Sequence, residues 1–478
     1  MTKKEPVALK LPFELGEFLC TWRVPGLQGE PVELPGLLNL EVGRYPSGVL
    51  HGDVPIKWVN GGAAFPQRHS FDSLVGRLSS GGSVALMNGE LSYWFPTQGR
   101  ASAAFAVLSR DELDANATRK YQAIELQIDG LDALMGNAPI SQVKMPVKAD
   151  DEPVWSATLN REAHSDWELG DDKMSIWYNA SIRAFDFYEF HMVFGSVVKV
   201  TSRSPLTVAE WWLQWVRPLR QLVSLITQGP REIHGFLAIQ DADAPHASRD
   251  QVFGWDITQR TQNSSRDSVE AAQSLVNLRA DDANLLALLQ RWRALSSDHH
   301  PLLETYGSMT TATEQHPRSR VLLLLQALEG LYGFETAEQR AKNEEAYAKK
   351  REAVLERAKT ALKSSDTGFL RRNLLGRPSG GLLDALISIF KSLPVDLRDE
   401  FEATDLVALV RSSNADLAKA PMEKTLVRVR NGLSHGSASF EPRDLLAVAD
   451  LLERVARSET LRVIGAPDAS RKRALEKR

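Results

Sequence analysis

Short apolar runs broken by turn residues fill the first 205 positions. Leu37, Leu38, Leu40 and Val42 lead into Pro46-Ser47-Gly48, and Val49 and Leu50 resume the run. Gly81-Gly82 punctuates the chain before Ser83-Val84-Ala85-Leu86-Met87. Ile124, Leu126 and Ile128 alternate with polar residues, the period-two mark of a half-buried strand. Phe185 and Phe187, then Phe190 through Thr201, read as a strand pair with Gly195 at its turn. Many short runs separated by Gly, Pro and Asn predict a sandwich or barrel rather than parallel α/β.

Helical spacing begins at Thr207, which forms a capping-box pattern with Glu210. Trp212, Trp215, Leu219, Leu222 and Ile226 share one face, Pro218 predicts a kink, and Gly229-Pro230 ends the helix. The cluster Trp211, Trp212 and Trp215 could stack on bases, but its helical spacing favours a packed face. Residues 231–260 are expected to return to strand, Asp241–Asp250 reads as a loop, and Thr261–Asp282 includes a linker.

The remainder is helical. Arg318–Gly333 carries the stripe Val321, Leu324, Leu325, Leu328, Leu331 and Tyr332. Thr336–Lys363 predicts a helix of about 42 Å at 1.5 Å per residue. Its strong apolar positions are Tyr347, Val354, Leu355 and Leu362, and its i,i+4 pairs Glu338–Lys342 and Glu345–Lys349 suit a projecting arm. A Gly/Pro/Arg-rich loop (Arg371–Gly381) and a short helix (Leu382–Phe390) precede a final pair, Ala420–His435 and Pro442–Arg457. The basic tail Arg471–Arg478 is expected to be solvated and frayed, or to touch RNA. The fold class is therefore α+β, with a β-rich domain over 1–205, a helix, β extension and linker over 206–280, and a helical domain over 281–478 whose arm spans about 336–363.

Composition sharpens that division. The chain has 478 residues, 43% of them hydrophobic and 25% charged, which excludes a largely disordered chain. The formal net charge of −4 is split unevenly, with 26 Lys+Arg against 33 Asp+Glu in residues 1–280 and 31 against 28 beyond. The one cysteine, Cys20, excludes an intrachain disulfide and a Cys-rich zinc site. No apolar run approaches a membrane span, and Met1–Lys10 has no apolar core behind its lysines, so a reducing cytosol is the expected location. There is no Gly-Lys-Ser/Thr phosphate loop, no dinucleotide fingerprint and no His-Glu-x-x-His pair. His299-His300 is adjacent rather than at helical spacing. Neither a metal nor a cofactor is expected.

Candidate chemistry gathers in Leu426-Val427-Arg428-Val429-Arg430-Asn431-Gly432-Leu433-Ser434-His435-Gly436. Leu426, Val429 and Leu433 form an apolar face, and Gly436 is a suitable helix terminator. Histidine can move protons near neutral pH, and an arginine fork suits a phosphate. Such a set can cleave RNA through the ribose 2′-OH without a metal, with His435 moving a proton, Arg430 gripping the phosphate and Asn431 orienting His435 or donating to the same phosphate. Arg430 and His435 diverge by ~140° in an unbroken helix. Acting together requires unwinding before His435 or a second copy of the site. The same residues could instead merely cap carbonyls. Glu329, between Leu325 and Tyr332, is either a partner for Arg430 or a surface charge. Arg428 is offset around the helix, as a phosphate contact or a solvated charge. Arg371, Arg372 and Arg377 are weaker candidates for RNA contact.

Arg430-Asn431-x3-His435 resembles the Arg-x4–6-His motif of the HEPN superfamily, many of whose members are metal-independent endoribonucleases. The closing helix Pro442–Arg457 fits that four-helix fold. Leu323-Leu324-Leu325-Gln326-Ala327-Leu328-Glu329-Gly330-Leu331 resembles the first helix of an ApeA-type HEPN domain. Pro35–Leu40, Ser70–Leu78 and Val84–Leu86 look ApeA-like in the first half. The resemblance covers roughly 35–260 and 318–460. It implies a dimeric antiphage toxin acting by abortive infection, in which Arg430, Asn431 and His435 cleave RNA and the β half senses a phage-derived trigger or holds the helical half inactive. Transfer RNA is one target by analogy. The alternative is a non-catalytic dimerisation scaffold whose β domain recognises a protein or glycan. A metal-dependent hydrolase is disfavoured because the histidines are scattered.

Overall fold

The computed structural model describes residues 11–26, 30–56, 65–114, 119–145, 156–186, 189–242, 244, 247–374 and 381–476. The chain forms two compact units, Met1–Gln290 and Arg291–Arg478.

Among the described residues the first unit has fourteen strands: β1 Gly16–Pro25, β2 Pro31–Leu40, β3 Ser47–His51, β4 Gln67–Leu78, β5 Ser83–Phe95, β6 Gln98–Ser109, β7 Tyr121–Ile128, β8 Ile140–Lys144, β9 Ser156–Leu159, β10 His164–Leu169, β11 Asp172–Asp186, β12 Glu189–Leu206, β13 Ile233–Ile239 and β14 Arg249–Gly254. Twelve of them form one sheet in the order β10-β11-β12-β7-β13-β14-β6-β3-β2-β1-β4-β5. Because β5 also pairs with β6, the last six close into a barrel. β8 and β9 form a separate hairpin. The segments Pro35–Leu40, Ser70–Leu78 and Val84–Leu86 all lie in barrel strands.

Trp22 fills the barrel with no solvent exposure, and its indole N–H donates to the Val49 carbonyl at 3.2 Å. Room for it comes from missing side chains. A Cβ at Gly48 would lie 2.7 Å from the indole, and one at Gly76 would lie 2.4 Å from Cys20 Sγ and 2.9 Å from the same ring. Cys20 is buried and free, and burial pushes its thiol pKa up to about 12.

Several expectations need correction. The return to strand expected within 231–260 is present as β13 and β14, but these are no separate extension: they are inserted between β7 and β6. Gly195 is no turn but sits inside β12 opposite Asn179. β7 is not half-exposed: residues of both alternating sets are buried, so both faces are covered, and β12 and β13 pair with its two edges. Its polar residues are satisfied inside, Glu125 by Arg249 at 3.3 Å and Gln127 by the Gln262 backbone at 2.7 and 3.2 Å. Phe187 lies outside the described residues.

The Thr207–Glu210 capping box is present, with both reciprocal bonds made. Pro218 does not break the helix that follows. A proline cannot donate to the carbonyl four residues back, and the turn before it, Trp212–Val216, is π-helical. The face is Trp211 and Trp215 rather than Trp212: both are buried, 6.0 Å apart between ring centres, and Trp211 Nε1 donates to the Tyr121 carbonyl. These two rings serve packing and are not open to bases.

The second unit is helical. Pro317–Glu335 buries the stripe Val321, Leu324, Leu325, Leu328 and Leu331, and it packs against Leu382–Ser392, Met422–His435 and Pro442–Val463. The arm is a 25-residue helix, Ala337–Ala361, burying only Leu355 and Ala358. The expected loop from Arg371 begins instead as the end of a helix, Ser364–Asn373, which folds back on the arm: Arg351 donates to the Arg371 carbonyl at 3.1 Å. The tail is not frayed through its described length. Asp468–Leu475 is a helix with Ala474 and Leu475 buried, and Arg471 pairs with Glu459 and Asp468. Among the described residues, no helix is long and apolar enough to cross a membrane.

Candidate functional site

The motif helix is Met422–His435, with Met422, Leu426, Val429 and Leu433 buried on one face. That face packs against Pro317–Glu335 and Leu382–Ser392, so the helix is positioned by apolar burial rather than by its polar residues. Gly436 terminates it in the left-handed conformation, φ 66°, which glycine adopts without a Cβ penalty. The helix is unbroken through His435. Unwinding before the histidine does not occur.

The exit from this helix is fixed twice. Ala438 N–H donates to the Gly432 carbonyl at 3.2 Å, folding the chain back over the last turn. Arg318 donates to the Leu433 carbonyl, bringing a cation to the negative end of the helix. Sequence reading missed Arg318 because its partner lies 115 residues away. Gly432 is not merely a weak helix residue: a Cβ there would come within 2.8 Å of Ala438 Cβ. Gly432→Ala should therefore displace the returning chain and cost about 1–3 kcal/mol, the usual scale of overpacking. A lowered melting temperature would show it, and an unchanged melting temperature would contradict the packing.

Arg430 is about one-third exposed, and its guanidinium has two neighbours. Nη1 donates to Asn431 Oδ1 at 3.2 Å, and Nη2 reaches Glu329 Oε2 at 3.5 Å. Glu329 is 32% exposed and Arg430 38%, so the pair stabilises the fold by no more than about 1 kcal/mol. Its effect is directional: it holds the fork on the side facing Glu329 and leaves donors free for an anion. Gly381, at φ 125°, lies beside Glu329, and a Cβ there would sit 2.9 Å from Oε1.

His435 is exposed at the last helical position. Among the described residues it has no hydrogen-bond partner. Arg428 is exposed and donates to Asn414 Oδ1 at 3.3 Å, away from the Arg430–Glu329 pair. Arg371 and Arg372 are exposed in the last turn of Ser364–Asn373, and no hydrogen bond or ion pair among the described residues joins them to the motif. Arg377 lies outside the described residues. His299 pairs with Glu304 at 2.7 Å and His300 is buried against Phe334, so this doublet forms no common ligand face.

A barrel-led antiparallel unit followed by a helical unit defines an α+β protein. Among family profiles, ApeA N-terminal domain 1 matches residues 27–292, more than half of the chain, and the chain belongs to that family. Membership gives it a coarse role in antiphage defence. The match ends before the motif helix begins. No curated protein and no solved structure matches the chain.

Proposed function

We propose that this protein is a metal-independent endoribonuclease toxin of antiphage defence, acting from the helical unit. The supporting observation is the motif helix itself: an arginine fork aimed by Glu329 and Asn431, and a solvent-open histidine at the end of the same helix. His435 takes the proton from a ribose 2′-OH, whose oxygen then attacks the adjacent phosphorus. Arg430 stabilises the added charge on the non-bridging oxygens. The 5′-oxygen leaves with a proton, giving a 2′,3′-cyclic phosphate and a 5′-hydroxyl.

Continuity of the helix bears on how the parts combine. Five residues of unbroken helix separate Arg430 and His435 by ~140°. A phosphate touched by both groups is best met by two facing motifs, so the active species is proposed to be a homodimer. Two histidines then supply the two proton transfers, one as base and one as acid. Arg428, Arg371 and Arg372 are proposed to steer the RNA backbone. The barrel unit is proposed to sense a phage-derived trigger.

The test is to sequence RNA ends after phage challenge, comparing parent with His435→Ala. Cyclic-phosphate ends dependent on His435 are expected. Intact RNA in both strains, with protection retained, would replace the nuclease with a binding or dimerisation scaffold.

A further inference from the structure

Three ligand-type side chains meet where β7 ends and β13 begins. Ile128 pairs with Ile233, and the next pair is Gln127 with Gly235, which leaves His234 as the extra residue of a β-bulge. Bulges re-aim side chains and are frequent at functional sites. Asp129 N–H donates to the Glu232 carbonyl at 3.1 Å, so these two residues face each other across the strand ends. One oxygen from each of them and one His234 ring nitrogen lie within 4.8 Å of one another.

His234 is held from both sides. It is 7% exposed. Nδ1 is 3.0 Å from Thr258 Oγ1, and Nε2 is 2.5 Å from Asp129 Oδ1. The Thr258 hydroxyl also lies 3.4 Å from the Ile233 carbonyl, and donating there leaves its oxygen to accept from Nδ1–H. In that tautomer Nε2 is the ring atom turned to the Asp129 carboxylate, and the Glu232 carboxylate belongs to the same 4.8 Å cluster. A cation that replaced the direct Asp129–His234 contact would use all three ligand atoms.

We propose that Asp129, Glu232 and His234 bind a divalent first-row transition cation, with Thr258 orienting the imidazole. One nitrogen and two carboxylate oxygens suit Mn²⁺, Fe²⁺ or Zn²⁺. The Thr258 contact is the outer hydrogen bond that ligating histidines usually carry. A cavity of about 150 Å³ adjoins the cluster on its Asp129 side and is also lined by Asp132, Ser196 and Arg231. Arg231 is the opposing charge, but its guanidinium is engaged by Thr227 at 2.7 and 2.9 Å. The ion would tie the end of central strand β7 to the β13 bulge, within the first unit. It takes no part in the chemistry of the Arg430–His435 motif.

Full-length protein stripped with chelator and titrated with MnCl₂ or ZnCl₂ in a calorimeter should bind one ion per chain and melt at a higher temperature. Glu232 is exposed, so Glu232→Gln keeps the fold and should weaken binding about tenfold or more, and Thr258→Val should weaken it about 10–100-fold. Asp129→Asn should remove it. No binding by millimolar metal, or binding unchanged in both Glu232→Gln and Asp129→Asn, would overturn the site in favour of a shared proton.

Discussion

Purified His435→Ala protein is expected to cleave RNA about 10²–10⁴-fold more slowly than the parent, the usual worth of a general acid–base group. The structure makes this a clean substitution. His435 is exposed at the last helical position, and the helix end is fixed by Gly436, Ala438 and Arg318 rather than by the imidazole. Melting temperature should therefore stay the same while activity falls. Unchanged cleavage at unchanged stability would remove His435 from the chemistry. Arg430→Lys provides the companion measurement, since a lysine keeps the charge but loses the fork that Glu329 and Asn431 hold. If both histidines act on one phosphate across a dimer, mixing parent with His435→Ala protein should lower activity more than simple dilution does, because each mixed dimer holds only one histidine.

Trp22→Ala should produce the largest loss of stability, about 3–5 kcal/mol. Trp22 is fully buried in the barrel and donates to the Val49 carbonyl. The surrounding glycines have no side chains with which to fill the vacated space, and the strands carrying Gly48 and Gly76 are held in register by their ladders. The site can therefore collapse little, which places the cost toward the upper end of the range. Denaturant midpoints read by circular dichroism would measure it. A loss below about 1 kcal/mol would mean that the barrel does not depend on this side chain.

Local signals carried much of the fold. Gly81-Gly82 marks the turn between β4 and β5, and both residues have positive φ, 89° and 90°. The Thr207–Glu210 box is a four-residue pattern, readable because both partners are close in sequence. The helical stripe of Pro317–Glu335 was equally plain. What escaped depends on distant partners. Ile124, Leu126 and Ile128 alternate as a half-exposed strand would, yet Arg249 and the Gln262 backbone, more than a hundred residues later, engage Glu125 and Gln127 on the other face. The shift from Trp212 to Trp211 follows from a π-helical turn that a fixed 3.6-residue period cannot anticipate.

The candidate site divides in the same way. Arg430, Asn431 and His435 are neighbours in sequence and could be named together. The Glu329 contact spans 101 residues and was one of two readings that the apolar stripe left open. Arg318 and the Asp129–Glu232–His234 cluster had no local signal, because strand pairing or helix packing alone brings their parts together.

The insertion of β13 and β14 between β7 and β6 bears on how the first unit can be cut. A fragment ending at residue 205 would keep the barrel strands but lose both inserted strands, leaving one edge of the C-terminal half of β6 and one edge of β7 unpaired. Two unpaired rows of backbone donors and acceptors would face each other across an empty slot, each a template for foreign strands. Such a fragment should aggregate when expressed, and one ending after Gln290 should stay monodisperse on a sizing column. The smallest portable piece of this unit is therefore set by where the last inserted strand returns, well beyond the point where the apolar alternation fades.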